Sequence, residues 1–159
     1  MKVSIITIGK LKEKYLTDGV QEFVKRLKPY CSLEIIELAE NNLPDNFSEA
    51  QLHKHLEIEG EKILKNIADK AYVFLLDLHG KQLSSQELSE KIQALGLDGR
   101  SHLVFVIGGA FGVGENLRAR ADFAWSFSKL TFTHQMIRML LVEQIYRAFK
   151  IAKGEKYHW

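Results

Sequence analysis

The stretch Leu103–Lys150, LVFVIGGAFGVGENLRARADFAWSFSKLTFTHQMIRMLLVEQIYRAFK, decides how this chain is read. It opens on a short apolar run, Leu103–Ile107, that stops abruptly at Gly108-Gly109, and Gly112 and Gly114 follow at once. A polar-aromatic segment from Trp125 to Thr131 comes next, and a long helical run begins near His134. A strand ending in glycines, then a polar loop and a helix, is where α/β proteins place ligands, outside the carboxyl ends of the strands.

Upstream, the pattern alternates between strand and helix. Val3–Ile8 is β-branched and apolar and is bounded by Gly9, which predicts a buried first strand. Leu16, Val20, Phe23, Val24 and Leu27 recur at helical spacing until Pro29, and Leu33–Leu38 reads as a second strand. Asn41–Asn46 is a loop by its Asn, Pro and Asp content. Ser48 with Gln51 three residues on forms a capping box for a long helix striped by Leu52, Leu56, Ile63, Leu64 and Ile67, with Gly60 inside it. His53 and His55, two apart, point to different faces of that helix, so they do not pair as metal ligands and are expected to be solvated. Tyr72–Leu78 is a third strand ending at His79-Gly80-Lys81, without the upstream glycines of a phosphate loop. Ser84 with Glu87 caps a further helix, which Gly96 and Gly99 end before the strand at Leu103–Ile107. The fold class that follows is α/β, a layered, mostly parallel sheet with helices on both faces, in one domain spanning 1–159.

The totals fit that picture. The chain has 159 residues, 46% hydrophobic and 26% charged, enough to bury a core without cross-links. The single cysteine, Cys31, reads as a small buried hydrophobe. Val3–Ile8 is too short for a signal peptide or a membrane span, so a cytoplasmic location is expected. Net charge is +2 but uneven: residues 2–28 carry seven Lys/Arg against three acids and 116–159 carry eight against three, while 34–69 carry nine acids against three lysines. Two basic ends around an acidic middle favour a polyanionic partner.

The spacing Gly108-Gly109-Ala110-Phe111-Gly112 is not the G-x-G-x-x-G of a dinucleotide site, and no acid follows at the right distance, which disfavours a nicotinamide oxidoreductase. Ser126–Thr131 alternates small hydroxyl residues with Phe127 and Leu130, so the two loops together suit an adenosine better than a triphosphate. The glycine loop carries no lysine and no metal-binding carboxylate cluster is present, and no metal is expected. His134 and Arg138 lie four apart near the glycine loop, and Glu143 and Arg147 are spaced to pair across a turn. The helix carrying them is apolar nearly all round in its first half, which predicts burial on more than one side. The tail holds Tyr157, His158 and Trp159 beside lysines, a combination able to stack bases and hold phosphates.

Together GGAFG, SFSKLT, F-x-H-Q-M-x-R, EQIYRAFKI and the near-terminal Y-H resemble the RlmH (YbeA-like) family of SPOUT methyltransferases over the whole chain. The resemblance implies S-adenosyl-L-methionine as cofactor and methylation of N3 of a pseudouridine in 23S ribosomal RNA. It also implies a homodimer and a C-terminal trefoil knot over about 72–159. Carried across, the cofactor pocket is Leu76, Gly108, Phe127, Ser128, Lys129, Leu130, Thr131 and Phe132. Thr133 stands where the family's usual proline precedes the histidine, which leaves the direction of the last helix open.

For the chemistry, histidine suits removal of the N3 proton because it titrates near neutrality. His158 is the expected base, with Tyr157 stacking or hydrogen-bonding and with Arg138 and His134 shaping the pocket. The expected partners are a second copy of the chain and 23S ribosomal RNA within the assembled ribosome, with no membrane. The alternative is a non-catalytic ribosome- or RNA-binding module, which leaves the paired loops unexplained.

Overall fold

The computed structural model describes residues 1–157. The elements run β1 (Lys2–Ile8), α1 (Lys14–Leu27), β2 (Ser32–Leu38), α2 (Glu49–Leu64) and β3 (Tyr72–Gln82), then α3 (Ser85–Leu97), β4 (His102–Ile107), α4 (Glu115–Arg120), β5 (Phe123–Ser126) and α5 (Met136–Ala152). Among the described residues five strands form one sheet in the order β2-β1-β4-β3-β5, every pairing parallel. The layered α/β expectation holds.

Strands buried on both faces need helices on both faces. Val3, Ile5, Phe74 and Phe105 pack with α1, α3 and α5, and Ile6, Ile8, Val104 and Val106 pack on the opposite side with α2 and α4. The rings of Phe74 and Phe105 stack on neighbouring strands with centroids 4.6 Å apart. Cys31 is buried, as expected, and burial pushes its thiol up to about 11. Both capping boxes form: Ser48 Oγ accepts from the Gln51 N–H, and Ser84 Oγ from the Glu87 N–H. Gly60 is explained by packing, since a Cβ there would meet the side chain of Asn116.

Several elements depart from expectation. β3 does not end at Leu78 but continues past an irregularity between Leu76 and Lys81 to pair again with β5 at Lys81↔Trp125 and Gln82↔Ser126. Gly80 permits this, because a Cβ on it would lie 2.6 Å from backbone atoms of Ala124 and Trp125. The short α4 and β5 were not foreseen, being six and four residues long and too short for a period to register. His55, expected to be solvated, is buried, 3.2 Å from Glu59 on the next turn, whereas His53 is exposed.

The last helix starts at Met136, two residues later than the histidine that was expected to open it. Thr133 sets its direction: its hydroxyl accepts the Met136 N–H at 3.1 Å and its carbonyl the Ile137 N–H at 3.0 Å. α5 packs against both α1 and α3, and Arg147 Nη2 bonds Glu143 Oε1 at 2.6 Å, both as its sequence suggests.

Two substitutions measure this core. Phe105→Ala removes a wholly buried ring and is expected to cost about 3–5 kcal/mol in urea unfolding. Ser84→Ala removes only a cap and is expected to cost about 1 kcal/mol.

Candidate functional site

Neighbouring strands β3 and β4 send the chain to opposite faces, to α3 and α4 respectively, which opens a crevice at their carboxyl ends. A cavity of about 840 Å³ lies there, within the size range of small-molecule sites. Its floor is Leu76 and Ile107, its near wall the glycine loop, and its far wall the segment from Trp125 to Thr133 with His134 and Gln135.

The glycine loop is a tight turn. Gly112 donates its N–H to the Gly109 carbonyl at 3.2 Å and takes a φ of +98° that favours glycine. A Cβ on Gly108 would lie 2.6 Å from Val113 Cγ1 and 2.7 Å from the Gly112 carbonyl oxygen. The bare backbone of Gly108 therefore makes room for its own loop. The facing segment is also internally bonded: Ser126 Oγ donates to the Ser128 carbonyl at 3.0 Å, and Ser128 Oγ accepts the Leu130 N–H at 3.0 Å. These bonds fix the turn and leave Phe127, Leu130 and Phe132 as an apolar wall.

Of the residues singled out from sequence, Leu76, Gly108, Phe127, Ser128, Leu130, Thr131, Phe132 and His134 converge on the cavity. Lys129 is exposed and outside the lining. Arg138, in the first turn of α5, is buried behind the wall: Nη1 donates to Glu37 Oε2 at 2.9 Å, and Nη2 to the carbonyls of Ile8 and Gly9 at 2.8 Å each. Burial works against its charge, and Glu37 offsets this. Tyr157 lies farther along α5, its hydroxyl donating to Glu143 Oε1 at 3.3 Å under the guanidinium of Arg147. His158 lies outside the described residues.

Sequence reasoning missed a charged pair at the mouth. Asp77 follows Leu76 and accepts from Arg118 Nε at 2.9 Å and from the His79 N–H at 3.1 Å. Burial pushes the Asp77 carboxyl up, but these two donors outweigh it and hold it below the usual range. The carboxylate closing the apolar run YVFLLD was its one sequence signal; Arg118 sits in a helix too short to be recognised.

The match to known proteins bears on this geometry. A family model described as "Predicted SPOUT methyltransferase" matches residues 1–158. The chain belongs to the SPOUT methyltransferase family. Ribosomal RNA large subunit methyltransferase H of Halothermothrix orenii is 49% identical over 158 residues, covering 99% of each chain. Proteins of the same name from Enterococcus faecalis and Alkaliphilus oremlandii are 49% and 50% identical over the same length. A solved structure titled "The structure of a probable methylase family protein from Haemophilus influenzae Rd KW20" shares the fold at 14% identity and a TM-score of 0.54, covering 99% of this chain and 70% of that one. Among the described residues of this SPOUT methyltransferase, no helix is long and apolar enough to cross a membrane, and no group of three His, Cys, Asp or Glu side chains is placed to hold a metal ion.

His134 gives the site a measurable electrostatic signature. Burial, and then the nearby Arg138, hold its imidazole below the ordinary value of 6.5, with Glu40 opposing. The unfolded chain therefore binds the extra proton first as pH falls, so this group makes stability decline below about pH 6.5. His134→Gln is expected to flatten that decline in denaturation midpoints measured across pH 5–7, leaving the midpoint above pH 7 nearly unchanged.

Proposed function

We propose that this chain methylates N3 of a pseudouridine in 23S ribosomal RNA of the assembled ribosome, using S-adenosyl-L-methionine. The observation that carries the reading is the meeting of Leu76, Gly108 and the 127–132 segment on one apolar cavity, in a chain about half identical to ribosomal RNA large subunit methyltransferases H. The residues present fit the cofactor. The cavity walls are apolar enough for a purine face, and the indole N–H of Trp125 in the far wall is buried with no hydrogen-bond partner among the described residues.

Leu76, Ile107, Phe127 and Leu130 would hold the adenine, and backbone groups of the glycine loop and of 128–132 its polar edges. The cofactor supplies a methyl group on a positively charged sulfur, already a strong electrophile. What remains for the protein is positioning, exclusion of water and removal of the N3 proton. His158 takes that proton, and Tyr157, held by Glu143 and Arg147, positions it. His134, neutral at pH 7, lines the cavity and adds no charge to the methyl donor's surroundings.

A homodimer belongs to the same reading. Tyr157 is docked two to three turns along α5 from the cavity, about 10–15 Å at the helical rise, which favours a tail that completes the partner's pocket. The exposed side chains of Tyr15, Leu78, Phe111, Leu130 and Phe132 around the cavity are the apolar surface a second copy would cover. The trefoil threading of 72–159 is also part of the proposal. It is supported by β5 lying outside β3 while α5 returns across the sheet to α1 and α3.

Calorimetry with S-adenosylhomocysteine is expected to show saturable binding at one site per chain; no heat would leave the RNA-binding alternative. Methylation of whole ribosomes with labelled donor is expected to place the label on one pseudouridine. For the tail, co-expressing His158→Ala chains with cavity-filling Thr131→Arg chains is expected to restore about a quarter of wild-type activity. Half the dimers are then mixed, each with one complete pocket of two. No recovery from two individually inactive chains would place the tail in its own pocket.

A further inference from the structure

Behind the near wall of the cavity, α2 carries a buried titratable pair that the proposed chemistry does not use. His55 and Glu59 have side chains only 6% exposed each, with Nε2 and Oε1 3.2 Å apart. Burying a charge on an outer helix is costly unless its surroundings require it. What lies against this pair is the glycine loop. A Cβ built on Gly109 would stand 3.0 Å from Glu59 Oε2, so the loop backbone rests directly on the carboxylate. On the other side of Ala110, the ring of Phe111 meets His55 edge-on at 5.9 Å and 88°. Phe47, just before α2, holds the far side of Phe111 at 5.4 Å. The contact continues beyond the loop, where Asn116 Nδ2 donates to the Glu57 carbonyl at 3.0 Å.

Two points of the loop, one residue apart on either side of Ala110, thus rest on two side chains one turn apart on α2. The loop is also held by its own Gly109–Gly112 turn and, at its far end, by Val113, which is buried in the core beside α2. The groups around Glu59 explain how the carboxylate is tolerated. Burial, with Glu40 from the loop after β2, raises its proton affinity, while His55, Lys62 and the Asn41 N–H oppose this.

We infer that His55 and Glu59 are positioning residues that seat the glycine loop for the methyl donor, coupling α2 to donor affinity without touching the donor. This rests on the methyltransferase reading above. The pair acts as a unit, because either side chain alone leaves a buried polar group without its partner and the Gly109–Phe111 segment with one of its two contacts on α2.

The test uses Glu59→Gln, His55→Gln and the double variant in the full chain, with S-adenosylhomocysteine calorimetry and steady-state methylation of ribosomes. Each single variant is expected to weaken S-adenosylhomocysteine binding about tenfold, the scale of one buried charge-assisted contact. KM for the donor should rise in step while KM for the ribosome stays unchanged. The double variant is expected to lose no more than the worse single one, the non-additivity of a coupled pair. Ser84→Ala is the control for a merely structural role, since it destabilises the fold through the cap of α3, on the opposite face of the sheet from α2. Equal loss of donor affinity in Ser84→Ala, strictly additive losses in the double variant, or unchanged donor affinity in both single variants would each overturn the inference. If Glu59→Gln does not fold, His55→Gln and Ser84→Ala still decide it. Wild-type chain that binds no S-adenosylhomocysteine sinks the methyltransferase reading instead.

Discussion

The guanidinium of Arg138 is the fastening on which the site depends. It sits 3% exposed beneath the start of α5 and bonds the carbonyls that end β1 together with a carboxylate of β2. Those carbonyls lie where β1 leaves the sheet. Leaving a buried carbonyl unpaired costs about 1–3 kcal/mol, so the arginine both closes the sheet end and pins α5 to it. A second bond, from the Lys12 N–H to Gln135 Oε1 at 3.0 Å, ties the same helix start to the loop before α1. With α5 fixed at that point, the segment between β5 and α5 has little freedom. It has to cross the carboxyl ends of the strands, opposite the glycine loop.

The cavity then follows from chain paths as much as from particular side chains. β4 lies between β1 and β3, so the chain leaving it toward α4 must cross β3 before pairing there as β5. The crossing is close enough that only a glycine fits at position 80, and the irregularity after Leu76 turns Asp77 to the mouth, where Arg118 meets it. Within the two loops most polar groups bond one another: Ser126 to Ser128, Ser128 to Leu130, Gly112 to Gly109. Loops satisfied internally in this way can present apolar faces to a cavity without leaving buried backbone groups unpaired.

Much of this was legible in the sequence because the signals are periodic. Continuous apolar runs marked β1, β3 and β4, and helical stripes with reciprocal Ser/Gln and Ser/Glu caps marked α2 and α3. Where structure depends on depth instead of period, sequence was silent. His55 and His53 look alike in a charged helix, and only one of them is buried, with the ring of Phe111 against it. The four-residue spacing of His134 and Arg138 suggested a shared role, yet His134 precedes the helix and lines the cavity while Arg138 lies behind it. Spacing on a helix gives direction, not how far a side chain sits below the surface. Thr133 shows the opposite case, a departure from the family pattern whose hydroxyl does a cap's work at the start of α5.

The distribution of charge ties the fold to its proposed substrate. Lys25, Arg26 and Lys28 end α1, and Lys150 and Lys153 end α5, and the two ends are drawn together by Tyr30, which donates to Glu155 at 2.8 Å and packs on Tyr146 and Phe149. Between this corner and the cavity, Tyr157 is held by Arg147 and Tyr146. The exposed cations of this corner, Lys25, Lys28 and Lys153, suit the phosphates of an RNA. The corner lies at the opposite end of α5 from the chain's own cavity, about 25 Å away for a helix of 17 residues. Under the proposed reading, RNA gripped at that corner reaches a methyl donor only if a second copy brings its cavity alongside. Under the same proposal, the apolar rim left uncovered around each cavity is where that copy would dock.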